Sequence, residues 1–279
     1  MKIMARGQGK FFPCDLCSSW GCTYLPQSEK YGSGGVFICN GCGFIYVPQR
    51  RPLPEILADW DKIYADGTYS ADWPAVKARL QYVAEYYQGQ HGWEGKNVLE
   101  IGAGQGRFLN IVRGMGAHPV AIEPSLKNCQ DMRRNEIFAH HGDAEKCGTV
   151  GTFDVVAILW TLENCTDCNA MLNVAYDNLR AGGHLIVATG SRILVPFKKR
   201  LSMYFSNTPA DTHCFRFSDV SLSHAMRLAS FRPPRFNDFE NLDWLVGISS
   251  RSYRYGLDVA RPIPGAIQSY FDEWEKMFP

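Results

Sequence analysis

No stretch of this chain is apolar for long enough to cross a bilayer. The longest run, "VVAILWTL" from Val155 to Leu162, falls far short of the roughly 20 residues a spanning helix needs. The opening "MKIMARGQGKFF" has no apolar core of a secretory signal, so the expected location is cytoplasmic. An excess of one charge is missing too. The chain has 29 basic and 28 acidic residues, for a net charge of +1. Nucleic-acid binders are usually far more basic, so nucleic acid is not an expected partner. Internal repeats and low-complexity tracts are also missing, which sets aside repeat arrays and disordered tails.

What is present suits a large domain plus a small one: 279 residues, 46% hydrophobic and 20% charged. Ten cysteines stand out. In a reducing compartment they read as thiols or metal ligands rather than disulfides. Five of them precede residue 43. "CDLC" supplies Cys14 and Cys17, and "CNGCG" supplies Cys39 and Cys42 followed by Gly43. Two C-x-x-C pairs at this separation match a tetrahedral four-thiolate zinc site. Each pair can form a knuckle whose backbone N–H groups point at sulfur, and Gly43 suits a left-handed turn after the second pair. Such a site closes its coordination sphere, so the ion would be structural and would help a thin module to fold. Cys22 is left over as an apolar filler. Cys165 and Cys168 repeat the spacing without a second pair and read as the start of a helix.

The chain divides into a cysteine module over 1–48, a linker and helical lid over 49–94, a main domain over 95–251 and a helical tail over 252–279. Residues 47–73, rich in proline and aromatics, read as a linker with short helical pieces. In the following segment Val76, Leu80, Val83, Ala84 and Tyr87 recur at helical spacing, with Gly89 and Gly92 to end the helix. Apolar stretches at 97–101, 118–122, 136–140, 153–160 and 183–189 alternate with helix-compatible segments. This pattern predicts an open α/β sheet of buried parallel strands. Two more strands are expected within 231–251.

The first of these strands runs into "LEIGAGQGRF", residues 99–108. Gly102, Gly104 and Gly106 allow the backbone to approach a ligand closely. The dinucleotide fingerprint wants a further glycine at 107, where this chain has Arg107. Alone, the turn fits either a ligand cradle or an ordinary strand-to-helix connection. Its neighbours favour the cradle. Glu100 stands two residues before the first glycine. Glu123 falls at the tip of the second strand, in "AIEPS", where it can accept both hydroxyls of an adenosine ribose. Asp143, in "GDAEK" after the third strand, can accept from an adenine amino group. All three carboxylates lie on the strand-end edge where open α/β sheets bind ligands.

The set "VLEIGAGQGRF", "AIEPS", "GDAEK", "FDVVAILWTLENCTD" and "LRAGGHLIV" resembles the class I S-adenosylmethionine-dependent methyltransferases. The resemblance implies a Rossmann-like α/β fold with a seven-stranded sheet whose last strand, Trp244 to Arg251, runs antiparallel, beside a small zinc-ribbon-like module. It implies S-adenosylmethionine as cofactor. The Gly102–Gly104 backbone would take its methionine part, Glu123 the ribose, and Asp143 with Ala144 the adenine. Glu100, Ala103, Gly106, Phe108, Pro124, Leu159 and Trp160 would complete the surround. The fourth-strand motif departs from many relatives: "LWTLEN" puts Trp160 and Asn164 where they carry histidines. The wider pattern from "CDLC" to "VPQRRPLPEIL" is similar to bacterial methyltransferases acting on sugars, polysaccharide precursors and secondary metabolites. Those include zinc-module sugar C-methyltransferases, which are longer.

Methyl transfer needs an aligned acceptor and a group to take its proton. "PADTHCFRFS", 209–218, follows the fifth strand and opens a helix at Ser218, a good N-cap. It offers His213 as the base, with Asp211 to orient it. The sugar C-methyltransferases carry a glutamate and a tyrosine where this chain has Thr212 and Arg216, which weakens a carbon-methylation reading. His213 could instead only pack beneath a lid. Arg192, Lys198, Lys199 and Arg200 form either a solvated face or a clamp for an acceptor phosphate. Tyr64 and Tyr69 fit a lid or plain packing. The expected activity is O-methylation of a sugar, glycan, nucleotide sugar or related natural product. The competing readings are an RNA methyltransferase, a sugar C-methyltransferase and a non-catalytic binding protein.

Overall fold

The computed structural model describes residues 10–31, 35–67, 70, 72–190, 213–238, 244–251, 271, 272 and 274–276. Tyr69, Arg192, Lys198, Lys199, Arg200, Asp211 and Thr212 lie outside them, as does most of the tail.

The cysteine module is a set of short strands. β1 (Lys10–Phe11) is the first, followed by β2 (Cys22–Tyr24), α1 (Pro26–Tyr31), β3 (Phe37–Cys39), β4 (Ile45–Tyr46) and β5 (Gln49–Arg50). β1 pairs with β5, while β2, β3 and β4 form an antiparallel meander. Residues 53–66 are one continuous helix, α2 (Leu53–Asp66), rather than short pieces in a linker. Pro52 precedes it and Pro54 sits in its first turn, where a missing N–H costs nothing. Gly67 ends it in the left-handed conformation, at φ 73°. α3 (Pro74–His91) buries the expected stripe of Val76, Leu80, Val83, Ala84 and Tyr87. It runs through Gly89 and stops at Gly92.

The main sheet follows. Its elements are β6 (Asn97–Ile101), α4 (Arg107–Gly114), β7 (His118–Glu123), α5 (Leu126–Arg134), β8 (Phe138–His141), β9 (Phe153–Leu159), α6 (Cys168–Asn178) and β10 (Leu179–Gly190). Then come β11 (Phe215–Arg216), α7 (Asp219–Leu228), β12 (Arg235–Asp238) and β13 (Trp244–Ser250). The seven-stranded order is β12-β13-β10-β9-β6-β7-β8. β13 is antiparallel to both neighbours, so it alone runs against the rest, as expected for Trp244 to Arg251. Every expected strand is present within a few residues of its predicted bounds; β10 starts early, with an irregularity between Leu179 and His184.

Strand side chains alternate between two apolar layers. Val98, Ala121, Val155, Ala157 and Ile186 pack against α3, α4 and α5. Leu99, Ile122, Val156, Ile158 and Val187 pack against α6 and α7. The cysteine module joins this second layer through Leu16, Phe44 and Tyr46. β11, far along the chain, adds a fourth strand to the module's meander: Phe215 pairs with Tyr46 and Arg216 with Ile45. Ser218 caps α7 as expected, and Ser221 returns the bond to make a capping box. In the tail, Phe271 and Trp274 are helical and fully buried, and Gln27 of α1 donates to Asp272 and Glu275.

Candidate functional site

The carboxyl ends of β6, β7, β8 and β9 open onto a cavity of about 560 Å³. Its floor is the glycine turn. Gly102 has φ +72°, and a Cβ there would lie 2.2 Å from the Thr161 methyl. Thr161 Oγ1 donates to the Gly102 carbonyl at 3.2 Å, which clamps the turn to the end of β9. Gly104 has φ +53°, and a Cβ would meet the Tyr64 hydroxyl at 3.2 Å. Gly106 differs from the other two. It caps α4 in the left-handed conformation, a Cβ there would strike Met132, and it does not line the cavity. Its role is to shape the turn.

Glu123 is buried at the tip of β7. Gly104 N donates to its Oε2 at 2.8 Å and Ser125 N to its Oε1 at 2.9 Å. Burial pushes its carboxyl up to about 7, against the pull of these two bonds. Glu100 beside it is also buried. Burial and the Glu123 charge raise its carboxyl well above the ordinary value. Its Oε2 has no hydrogen-bond partner among the described residues, although it lines the cavity. A buried acceptor in that state calls for a donor from a ligand. Ribose hydroxyls and an ammonium group are such donors, so the residues present fit the adenosyl amino acid that the sequence implies.

Asp143 lines the cavity beyond β8 but is partly engaged. Glu145 N donates to its Oδ1 at 3.0 Å, and Lys146 pairs with its Oδ2 at 2.6 Å. Ala103, Phe108, Pro124, Ala144, Leu159 and Trp160 also line the cavity. Trp160 adopts φ +52°, a conformation that costs a bulky residue about 1–3 kcal/mol. Its backbone N–H donates to the Ala188 carbonyl at 2.6 Å, its own carbonyl accepts from Asn164 Nδ2 at 3.1 Å, and the Arg79 guanidinium stands 4.2 Å from its ring. The two positions that differ from many relatives thus hold each other. Glu163, between them in a short 3-10 turn, is buried and lines the cavity.

Of the roof, the sequence offers a helical lid within 49–94 and Tyr64 as one of its residues; the rest of the face is seen only in the structure. α2 lays Leu53, Ile56, Leu57, Trp60, Asp61 and Tyr64 along the cavity, at spacings of three and four. The sequence carries that spacing, but the prolines around it read equally well as a linker. Ser125 Oγ donates to Asp61 at 3.0 Å and so ties this helix to the Glu123 tip. His213 lines the cavity immediately before β11, and its carbonyl accepts from Arg216 Nη1 at 3.0 Å.

A second constellation lies in the module. The sulfurs of Cys14, Cys17, Cys39 and Cys42 all fall within 4.8 Å of one another, with Cys14 and Cys42 at 3.5 Å and Cys17 and Cys39 at 3.4 Å. Four thiolates at about 2.3 Å from one zinc ion stand about 3.8 Å apart, so the cluster fits. Gly41 N donates to Cys39 Sγ at 3.3 Å, and a Cβ at Gly41 would lie 3.0 Å from Cys17 Sγ. Gly43 takes the expected left-handed turn, at φ 74°. Cys22 is half-buried in β2, in register with Cys39. Cys168 is buried as the first residue of α6, and Cys165 is buried just after the 3-10 turn that precedes it. Among the described residues, no helix is long and apolar enough to cross a membrane.

Residues 76–233 match a family model described as "Methyltransferase domain". The mitochondrial ubiquinone biosynthesis O-methyltransferase of Schizosaccharomyces pombe is 26% identical over 149 residues, which cover 49% of this chain and 54% of that protein. The ubiquinone biosynthesis O-methyltransferase of Aromatoleum aromaticum is 29% identical over 109 residues, covering 36% and 47%. The chain therefore spans about half the length of these curated relatives. Among solved structures, 1,6-didemethyltoxoflavin-N1-methyltransferase of Burkholderia thailandensis, with bound 1,6-didemethyltoxoflavin and S-adenosylhomocysteine, matches with a TM-score of 0.55. The identity is 16%, and the match covers 75% of this chain and 96% of that one. That likeness carries the fold.

Proposed function

The chain belongs to the methyltransferase-domain family, and from that premise we propose that it is an S-adenosylmethionine-dependent methyltransferase acting on an oxygen of a small molecule. The observation that carries the reading is the pair of buried carboxylates beside the glycine turn, with one Glu100 oxygen lacking a partner among the described residues. Glu123 would take the ribose, Asp143 and Ala144 the adenine, and Glu100 with the Gly102–Gly104 backbone the amino-acid end. When bound, the cofactor supplies a methyl group on a positively charged sulfur. The chain's own work is to hold the acceptor oxygen in line, exclude water beneath α2 and take the acceptor proton, the part assigned to His213.

The α2 face bears on the acceptor. Leu53, Ile56, Leu57 and Trp60 offer few partners to a polyol and suit a hydroxyl on an apolar, aromatic body. The O-methyltransferases among the relatives agree with that choice. The sugar or glycan acceptor expected from the wider sequence pattern gains no support from this lining. One structural zinc ion on Cys14, Cys17, Cys39 and Cys42 belongs to the same proposal, as does the division into a module over 1–48, a lid over 49–94, a catalytic domain over 95–251 and a tail.

Calorimetry with S-adenosylhomocysteine tests the cofactor. Micromolar binding is expected, and Glu123→Ala should weaken it about 100-fold, because two backbone donors and the ribose lose their acceptor. A wild-type chain that does not bind the compound overturns the reading.

A further inference from the structure

Arg50 is buried to an unusual degree for its type. Its side chain is 1% exposed, and its partner Asp15 is 6% exposed. Its guanidinium forks onto both Asp15 oxygens and reaches the Thr166 carbonyl, while Nε donates to the Val47 carbonyl at 3.0 Å. The rings of Phe12 and Phe215 each lie 4.6 Å from its central carbon. Nothing in the proposed chemistry uses this residue. A desolvated arginine with every direction engaged is costly unless the geometry it enforces matters.

Its partners come from three places. Asp15 sits between Cys14 and Cys17 in the first cysteine knuckle. Thr166 is held by the Glu145 carboxylate, which accepts from both its N–H and its hydroxyl, and Glu145 lines the cavity. Phe215 follows His213 by two residues and belongs to β11. The second knuckle reaches the same strand by another route. Phe44 follows Cys42 and Gly43, stacks on Phe215 with centroids 5.9 Å apart and meets Phe217 at a tilt of 41° and 5.3 Å. Val47 N donates to the Cys214 carbonyl at 2.8 Å. Both knuckles therefore end on the strand that follows His213. The ribose end of the cavity is different: Gly104 and Ser125 donate to Glu123 within the tips of β6 and β7, with no module residue among its partners in the described structure.

We propose that Arg50 is a positioning residue that ties the four-cysteine centre to the acceptor wall, so that the state of the centre sets where His213 stands. The inference rests on the proposed function only for calling that wall the acceptor side. The four sulfurs and Arg50 act on His213 through β4 and β11, and on Glu145 through Thr166. A bound structural ion would hold the two knuckles at one separation, and with it the two ends of this brace.

The test uses the whole 279-residue chain purified from zinc-supplemented medium. Amide hydrogen exchange, the His213 ring resonances and affinity for S-adenosylhomocysteine are followed in Arg50→Met, in Arg50→Lys and after metal chelation of the wild type. Arg50→Met and chelation should each speed exchange at 44–47 and 213–217 at least tenfold and shift the His213 resonances. Exchange at 97–123 should hold, and S-adenosylhomocysteine affinity should fall by less than about fivefold, because only the adenine end, beside Glu145, adjoins the brace. Arg50→Lys, which keeps the charge but not the fork, should fall between. A brace that merely stabilised the fold would lower the melting temperature and leave the His213 resonances in place, which would overturn the proposal. So would exchange that rises equally over 97–123. If Arg50→Met does not fold, chelation of the wild type decides on the same readouts. Absence of S-adenosylhomocysteine binding in the untreated wild type is a separate result that strikes the proposed function instead.

Discussion

On one side of the cavity, Glu100, Gly102, Gly104 and Glu123 stand on two adjacent parallel strands and the turns that leave them, within about 25 residues of sequence. On the other side, the lid face of α2, the Trp160–Asn164 turn and His213 arrive from segments far apart in the chain, and β11, which follows His213, pairs with a module from the N-terminal part. The first side is built by local geometry: left-handed glycines, a strand tip and two backbone bonds. The second is an assembly. Local construction suits a part that meets the same cofactor each time, and assembly leaves room for the acceptor to vary with the parts.

Breaking the assembled side at its root should have the largest effect. Cys39→Ser removes one thiolate from the cluster, and structural zinc sites contribute on the order of 10 kcal/mol. Metal content measured on the purified variant should drop from about one ion per chain toward zero, with β2 to β4 losing structure. On the local side, Gly102→Val forces a branched residue into φ +72° against Thr161. S-adenosylhomocysteine affinity should fall by about 100-fold or more in calorimetry. Unchanged affinity would show that the turn is not the cradle.

His213→Ala separates the two sides. Turnover on a phenolic acceptor should fall by roughly 100-fold or more while cofactor affinity holds. If both fall together, the halves are not independent. The smallest effect is a titration. Glu123 is raised to about 7 in the folded chain from an ordinary carboxylate value near 4.5, so the folded state holds its proton longer than the unfolded one. Stability of the ligand-free protein should therefore fall as pH rises from about 5 to about 7, then level off. S-adenosylhomocysteine affinity should rise by about tenfold across the same window, because ribose hydroxyls prefer the ionised acceptor. Glu123→Gln should flatten both curves.

The sequence made the local side readable almost residue by residue. Apolar runs marked β6 to β10, and Glu123 and Asp143 fell where strand ends were expected. The cysteine spacing likewise announced a cluster. What it hid was most of what depends on partners distant in the chain, although His213 and Tyr64, both in the cavity lining, were among its candidates. Arg50 sits in "VPQRRP" with nothing to distinguish it from Arg51, which is exposed and pairs with Asp59. "FRFS" carries no strand signal of its own, since two residues make a strand only when β4 lies alongside. α2 had the right spacing, yet its prolines stood where they help a helix start rather than where they break one. Periodicity reports which way a residue faces, not what it faces.

The shared sheet also sets an order of events during synthesis. β2, β3 and β4 leave the ribosome early and can gather around their cysteines, but the open edge of β4 must wait until most of the main sheet has been made before β11 arrives to cover it. An uncovered strand edge is a template for wrong partners. The nascent chain is thus most exposed to misassembly in the interval between its fourth strand and its eleventh.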